Sequence, residues 1–212
     1  MKRFRKPQGL YLVVSAILPT DELLFATEKA LDGGVDMMQF SAGKEVADMH
    51  VLGSVLAGLA KKHEVPFLVN NNLELAKEVE ADGVHFDTYD VAPTEARRVL
   101  GHDCIVGYTV NTDLDKIKWA QETGADYVSF CSVFNQCTAT TCAIVPLETV
   151  RQAKSVTNLS IFAAGGINLK NAHLVLETGV DGIAVTSAIL KSENPEQTAK
   201  AFQKIISQYN KK

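Results

Sequence analysis

The residues best suited to chemistry stand at the ends of short apolar runs. Gln39 and Ser41 close one run, and Asn70, Asn71 and Asn72 close the next. His85, with Asp87 and Asp90 just beyond it, follows a third run, Thr109 and Asn111 a fourth, and Ser132, Asn135 and Thr138 a fifth. The last two runs end in Gly165-Gly166-Ile167-Asn168 and Thr186-Ser187. A Gly-Gly pair lets backbone N–H groups approach an anion closely. Thr186-Ser187-Ala188 can open a short helical turn whose N–H groups face the same point. Together they are expected to bind a phosphate. Gln39, in an apolar run, needs a polar partner if buried.

Each candidate also has a plainer reading. The Asn run serves equally as a turn and helix N-cap. His85 could be a satisfied core histidine, Asp90 simply loop, and the Gly-Gly pair a packing device. Cys104, Cys131, Cys137 and Cys142 are too few for a disulfide framework, and the C-x5-C-x4-C spacing of the last three matches no zinc pattern. Free thiols of a cytoplasmic protein are expected.

The elements that must position these residues alternate along the whole chain. Strand-like runs cover 10–15, 36–40, 67–70, 83–86, 104–108, 127–133, 159–164 and 182–186. They are nearly continuous in apolarity, as parallel strands covered on both faces are. Helical patterns lie between them, over 21–31, 44–63, 73–80, 93–100, 113–122, 147–155, 169–177 and 195–209. Eight β-then-α units of about 26 residues each predict an α/β fold, a (βα)8 TIM barrel near its minimum length, with an open doubly wound sheet as the competitor. GGVDMMQF, VEADGVHF, TGADYVSF and TGVDGIAV repeat one phrase, placing Asp36, Asp82, Asp126 and Asp181 at the starts of the even strands. The repeat favours radial closure, and its Asp residues read as turn and cap residues. In such a barrel the ligand sits beyond the C-terminal strand ends, where all of these strand-end candidates fall.

Composition sets the outer bounds. The chain has 212 residues, 46% hydrophobic and 22% charged, with a net charge of −4. No break divides it, so 1–212 reads as one domain with a basic arm over 1–8. Lys2, Arg3, Arg5 and Lys6 hold four of the 21 positive charges, so the body is more acidic than the total suggests. That argues against nucleic acid as a partner. No run approaches the ~18–20 apolar residues of a membrane span. The apolar run after the basic start ends at Pro19-Thr20-Asp21 with no clear signal cleavage site. The expected partner is a small phosphorylated molecule in the cytoplasm; a homo-oligomer stays open.

The phrases GLYLV (9–13), GGVDMMQ (33–39), VPFLVNN (65–71), ADGVHF (81–86), GADYVSF (124–130), AAGGINLKNA (163–172) and GVDGIAVTSAI (179–189) resemble, in order and spacing, the thiamine phosphate synthase family and its thiazole tautomerase relatives. The resemblance implies a (βα)8 barrel that joins a hydroxymethylpyrimidine diphosphate to a thiazole phosphate. Diphosphate leaves first, and the thiazole nitrogen captures the pyrimidine cation. Fixed cations and magnesium neutralise the departing group in that family.

Carried over residue by residue, the resemblance is uneven. The family's Gln-Leu-Arg-Glu-Lys reads Gln39-Phe40-Ser41-Ala42-Gly43: the pyrimidine-contacting Gln stays and two cations are lost, with Lys44 one place late. Asn-Asp-Arg reads Asn70-Asn71-Asn72, so one magnesium Asp becomes an amide, while the second matches Asp90. The family Ser matches Thr109, and Thr-x-Thr-Lys reads Gln136-Cys137-Thr138-Ala139. The tautomerase His falls near Asn111. Thr109 and Thr138 are thus the candidate catalytic residues. The substrate-binding set is Gln39, Asn70, His85, Gly165, Gly166, Thr186 and Ser187, with Asp90 and Asn71 at the magnesium positions of a weak or absent Mg2+ site. Three missing charge-assisted contacts at ~1.5–3 kcal/mol each would slow the reaction on the order of 10³–10⁶-fold. The expected function is therefore this transferase reaction, with weak or altered activity. A non-catalytic binder of thiamine phosphate or thiazole phosphate is the alternative. An isomerase or lyase on another phosphorylated substrate, using His85 or Cys137, is a further one.

Overall fold

The apolar runs form parallel strands, and each amphipathic stretch returns the chain to the start of the next. The computed structural model describes residues 6–42, 48–134 and 143–209. Lys44, Asn135, Gln136, Cys137, Thr138, Ala139 and Cys142 lie outside the described residues. The order is β1 (Gly9–Ser15), α1 (Thr20–Asp32), β2 (Met37–Ser41), α2 (Met49–Lys62), β3 (Phe67–Asn70), α3 (Leu73–Glu78), β4 (Gly83–Phe86), α4 (Pro93–Leu100) and β5 (Ile105–Val110). It continues with α5 (Leu114–Glu122), β6 (Tyr127–Phe130), α6 (Leu147–Ala153), β7 (Ser160–Ala164), α7 (Ala172–Leu176), β8 (Gly182–Val185), α8 (Ser187–Leu190) and α9 (Pro195–Tyr209). The strands close into a barrel in sequence order, and β1 pairs with β8 from Gly9↔Gly182 to Leu12↔Val185.

Strand alternation splits the apolar residues in two. Leu10, Leu12, Val14, Met38, Phe40, Val69, Val84, Val106, Val128, Ile161 and Ile183 join the layer under the helices. Tyr11, Met37, Leu68, Ile105, Tyr127, Phe162 and Ala184 form a second cluster inside the barrel. Two strand glycines make room for its rings. A Cβ on Gly107 would lie 2.0 Å from the Tyr127 ring, and one on Gly182 would lie 2.3 Å from the Phe162 ring.

The repeated Asp residues do a more specific job than turn or cap. Asp36 Oδ2 accepts the Leu10 N–H at 2.7 Å, and Asp82 Oδ2 the Phe67 N–H at 2.9 Å. Asp126 Oδ2 accepts from Val106 at 2.7 Å and Asp181 Oδ2 from Ile161 at 2.8 Å. Each carboxylate at the foot of an even strand thus clips the odd strand before it. A strand-edge N–H without a partner would carry a desolvation cost, which the clip removes.

Some boundaries move for local reasons. The strand expected over 127–133 stops at Phe130, because Ser132 turns the chain at φ 60. The helix expected over 169–177 begins only at Ala172, after a turn in which Asn168 Oδ1 accepts the Lys170 N–H. The helix expected from 44 is described from Met49. Strand five runs two residues past Tyr108, to Val110.

Candidate functional site

Seven side chains from the first six strands meet at the C-terminal end of the barrel interior. Just past β4, Asp87 continues the inward phase of His85 two residues on. The Tyr11 hydroxyl donates to Gln39 Oε1, and it lies 2.8 Å from the Tyr127 hydroxyl. Gln39 Nε2 donates to Asn70 Oδ1 at 3.1 Å, and Asn70 Nδ2 to Asp87 Oδ2 at 2.9 Å. Thr109 Oγ1 donates to Asp87 Oδ1 at 2.8 Å. His85 closes the circuit, with Nε2 2.8 Å from Thr109 Oγ1 and Nδ1 2.9 Å from the Tyr127 hydroxyl. The result is a closed ring of hydrogen-bonding contacts. Gln39 and His85 are buried, and the ring opens to solvent at Asp87, whose side chain is 49% exposed.

Aromatic groups form the floor. Tyr11 and Tyr127 both meet Phe162 edge-on at 5.4 Å between centroids, and His85 stacks on Tyr127 at 5.5 Å. Burial lowers the His85 pKa to about 4, against the pull of Asp87. The imidazole is neutral at neutral pH. Burial pushes the Asp87 carboxyl up, but the charge interaction with His85 and hydrogen bonds from Asn70, Thr109 and Asn71 outweigh it, so Asp87 titrates below an ordinary carboxyl.

The three consecutive asparagines separate into three roles. Asn70 is in the ring. Asn71, at φ 51, donates from Nδ2 to Asp87 Oδ2 at 2.7 Å and accepts the Asp87 N–H on Oδ1 at 2.8 Å. Asn72 caps α3 by accepting the Leu75 N–H at 2.9 Å. The N-cap reading thus holds for one of the three.

The glycine pair follows β7, one of the two strands that do not contribute to this ring. Gly165 and Gly166 have φ of 96 and 70, a region L-residues rarely adopt. At Gly165 a close approach also demands glycine, since a Cβ would sit 2.4 Å from the Ser132 backbone nitrogen. Asn171 Nδ2 holds the Gly166 carbonyl at 3.0 Å. On neighbouring β8, Thr186 precedes Ser187, the first residue of α8. The Ser187 and Ala188 N–H groups have no carbonyl within the helix to bond, whereas the Ile189 N–H bonds the Thr186 carbonyl at 3.2 Å.

Asp90 is exposed in the loop before α4 and stands apart from the ring. Lys170 is exposed in the turn after β7. Among the described residues no three His, Cys, Asp or Glu side chains are grouped to hold a metal ion. Asn71 spends both ends of its amide on Asp87. Asn71 is thus not free to hold a magnesium ion. Cys131 donates weakly to Asn111 Oδ1 at 3.5 Å, and burial pushes the Cys104 thiol up to about 11. Cys104 is therefore no activated thiolate. No helix among the described residues is long and apolar enough to cross a membrane.

Sequence reasoning missed Tyr11, Tyr127 and the part played by Asp87. Both tyrosines sit in apolar runs and read as core. Their signal was phase: a buried tyrosine needs a partner for its hydroxyl, and both share the inward phase of the polar strand ends.

A family profile described as thiamine monophosphate synthase matches residues 10–189. A curated relative, the thiamine-phosphate synthase of Clostridium perfringens (strain SM101 / Type A), is 35% identical over 199 residues, covering 93% of this chain and 96% of the relative. That of Nitrosospira multiformis is 33% identical, covering 93% of this chain and 85% of its own. Among solved structures, a thiamine phosphate pyrophosphorylase from Pyrococcus furiosus superposes with a TM-score of 0.83 at 30% identity, over 95% of this chain and 96% of that one. The barrel, its order of motifs and these likenesses agree: the chain belongs to the thiamine monophosphate synthase family.

Proposed function

We propose that this chain joins a hydroxymethylpyrimidine diphosphate to a thiazole phosphate, as the names of its relatives suggest. The observation that carries this reading is the division of the barrel mouth. Six strands supply a buried ring of amides and hydroxyls with spare N–H hydrogens on Gln39 and Asn70. The other two supply the glycine pair and the start of α8. An amide-lined floor suits the ring nitrogens of a pyrimidine, and the glycine end suits a phosphate.

In this reaction the C–O bond to diphosphate breaks, and its electron pair leaves with the diphosphate. The thiazole nitrogen then donates its lone pair to the pyrimidine methylene carbon, forming the C–N bond. The Asp87 carboxylate, at the mouth, favours positive charge developing beside it. His85, neutral and with both nitrogens in the ring, holds the floor in place and is no proton donor to the leaving group.

A second reading, a binder of thiamine phosphate or thiazole phosphate, is favoured by one observation. No ring or cradle residue is a Lys or Arg, so these residues supply no cation for the leaving diphosphate. The deciding experiment gives the purified protein both substrates with magnesium and measures thiamine phosphate and diphosphate. Turnover at an ordinary enzyme rate refutes the binder reading. Tight thiamine phosphate binding without turnover refutes the synthase reading. Gly166→Asp places a carboxylate in the cradle, and thiazole phosphate binding should be lost, whereas Gly166→Asn, with the same backbone strain and no charge, should lose far less. Retained binding would mean the phosphate sits elsewhere. The cytoplasm is the proposed location.

A further inference from the structure

We propose that Asp87, at the mouth of the barrel, fixes the orientation of the buried Gln39 amide two contacts away, and through it the donor and acceptor pattern offered to a bound ring. The part concerning the bound ring rests on the function proposed above; the part concerning the amide does not.

An ionised carboxylate can only accept hydrogen bonds. Asp87 Oδ2 receives Asn70 Nδ2 at 2.9 Å and Asn71 Nδ2 at 2.7 Å, and Oδ1 receives the Thr109 hydroxyl at 2.8 Å. Asn70 must therefore turn its nitrogen outward. Only its oxygen is left for Gln39, which meets it with Nε2 at 3.1 Å. Gln39 then has only Oε1 to show the Tyr11 hydroxyl. Neither neighbour of Gln39 could impose this by itself, because a tyrosine hydroxyl donates or accepts and an amide does both. The constraint enters the ring at the one member that cannot donate.

Counting hydrogens reaches the same residue. Asn70, Gln39, Tyr11, Tyr127, neutral His85 and Thr109 each place one hydrogen in the ring, and Asp87 places none. Six hydrogens serve seven contacts, and both arms point toward Asp87. With an amide at position 87 there are seven hydrogens for seven contacts. The ring by itself can then run in either direction with every contact filled; only Asn71, whose Nδ2 donates to the Oδ2 position while its Oδ1 holds the backbone N–H of residue 87, still favours the wild-type direction, and without that donor Gln39 loses its unique orientation.

Orientation matters for recognition because reversing Gln39 exchanges a donor for an acceptor at one point of the floor. A ring bearing an amino group and one bearing an oxo group at the same carbon differ in that way. Sites that hydrogen-bond a specific group reject the wrong one strongly, because buried polar atoms are left unpaired.

The test compares the wild-type Asp87 with Asp87→Asn and Asp87→Glu, all carrying Asn71→Ala so that no second donor fixes the amide at position 87. In unliganded protein labelled with 15N at Gln and Asn side chains, wild type and Asp87→Glu should give one set of Gln39 amide signals, with one hydrogen slow to exchange. Asp87→Asn should give two sets, or one set with altered shifts, at unchanged or raised melting temperature. Affinities are then measured for 4-amino- and 4-oxopyrimidine methyl diphosphates. Wild type and Asp87→Glu should discriminate between the two compounds at least about tenfold, and Asp87→Asn should fall within about threefold. A single, unshifted set of Gln39 signals in Asp87→Asn, or unchanged selectivity in it, overturns the proposal. Failure of wild type to bind either pyrimidine overturns the proposed function instead, and the amide spectra alone then decide the role of Asp87.

Discussion

Replacing Gly107 by alanine tests whether the barrel floor is as tightly specified as the contacts imply. The added Cβ would lie 2.0 Å from Tyr127 Cζ, 2.2 Å from Cε1 and 2.6 Å from Cε2. The ring cannot back away. It is fully buried and meets Tyr11 and Phe162 edge-on at 5.9 and 5.4 Å. Overpacking of this kind costs ~1–3 kcal/mol. A displaced Tyr127 also loses its contacts to Tyr11 and His85, at ~0.5–1.5 kcal/mol each. The expected loss is about 2–6 kcal/mol. At ~2–4 °C per kcal/mol for a chain of this size, the melting temperature should fall by at least about 4 °C. The sign is the informative part, because a strand glycine replaced by alanine normally gains stability, by roughly 0.4–1 kcal/mol where the backbone is compatible. Thermal unfolding of Gly107→Ala, Tyr127→Ala and the double variant provides the assay. If overlap with the ring is the cause, the Gly107→Ala cost disappears in the Tyr127→Ala background. An unchanged or raised melting temperature in the single variant, or additive losses in the pair, refutes the steric account.

Two further outcomes follow from the same contacts. His85 titrates near 4 in the folded chain, below the ~6.5 of an exposed histidine, so the unfolded chain takes up the proton first. The neutral form is fully favourable above about pH 6.5, and about 3 kcal/mol is lost as pH falls through 4. Urea midpoints between pH 7 and 4 should fall more steeply for wild type than for His85→Gln, and equal slopes would contradict the burial argument. Asp126→Ala removes the acceptor for the Val106 N–H and for Arg97 at 2.9 Å, which should lower stability by ~1–3 kcal/mol in chemical denaturation and leave product formation unchanged. A coincident loss of activity would mean that the strand clip also positions the mouth.

Much of the molecule was legible in the sequence, because its fold rests on patterns that repeat. Eight apolar runs with a helix after each, and one Asp phrase on every even strand, leave few arrangements besides a closed barrel. Strand ends are where such a barrel places its site, so Gln39, Asn70, His85 and Thr109 could be named from position and polarity alone. Residue type also exposed Gly165 and Gly166. Their positive φ came only from the fold, and at Gly165 the Ser132 backbone also leaves no room for a Cβ.

What the sequence could not carry is which of these side chains touch. Tyr11 and Tyr127 are 116 residues apart and look like core. They become polar site residues only when closure of the barrel brings β1 and β6 to face each other across its interior. Asp87 looks like one of several loop carboxylates until β3, β4 and β5 lie side by side and set Asn70, Asn71 and Thr109 around it. Sequence determines which residues share a face, because periodicity is local. Partners across a closed sheet depend on register and ring closure, which only the whole set of strand pairings decides.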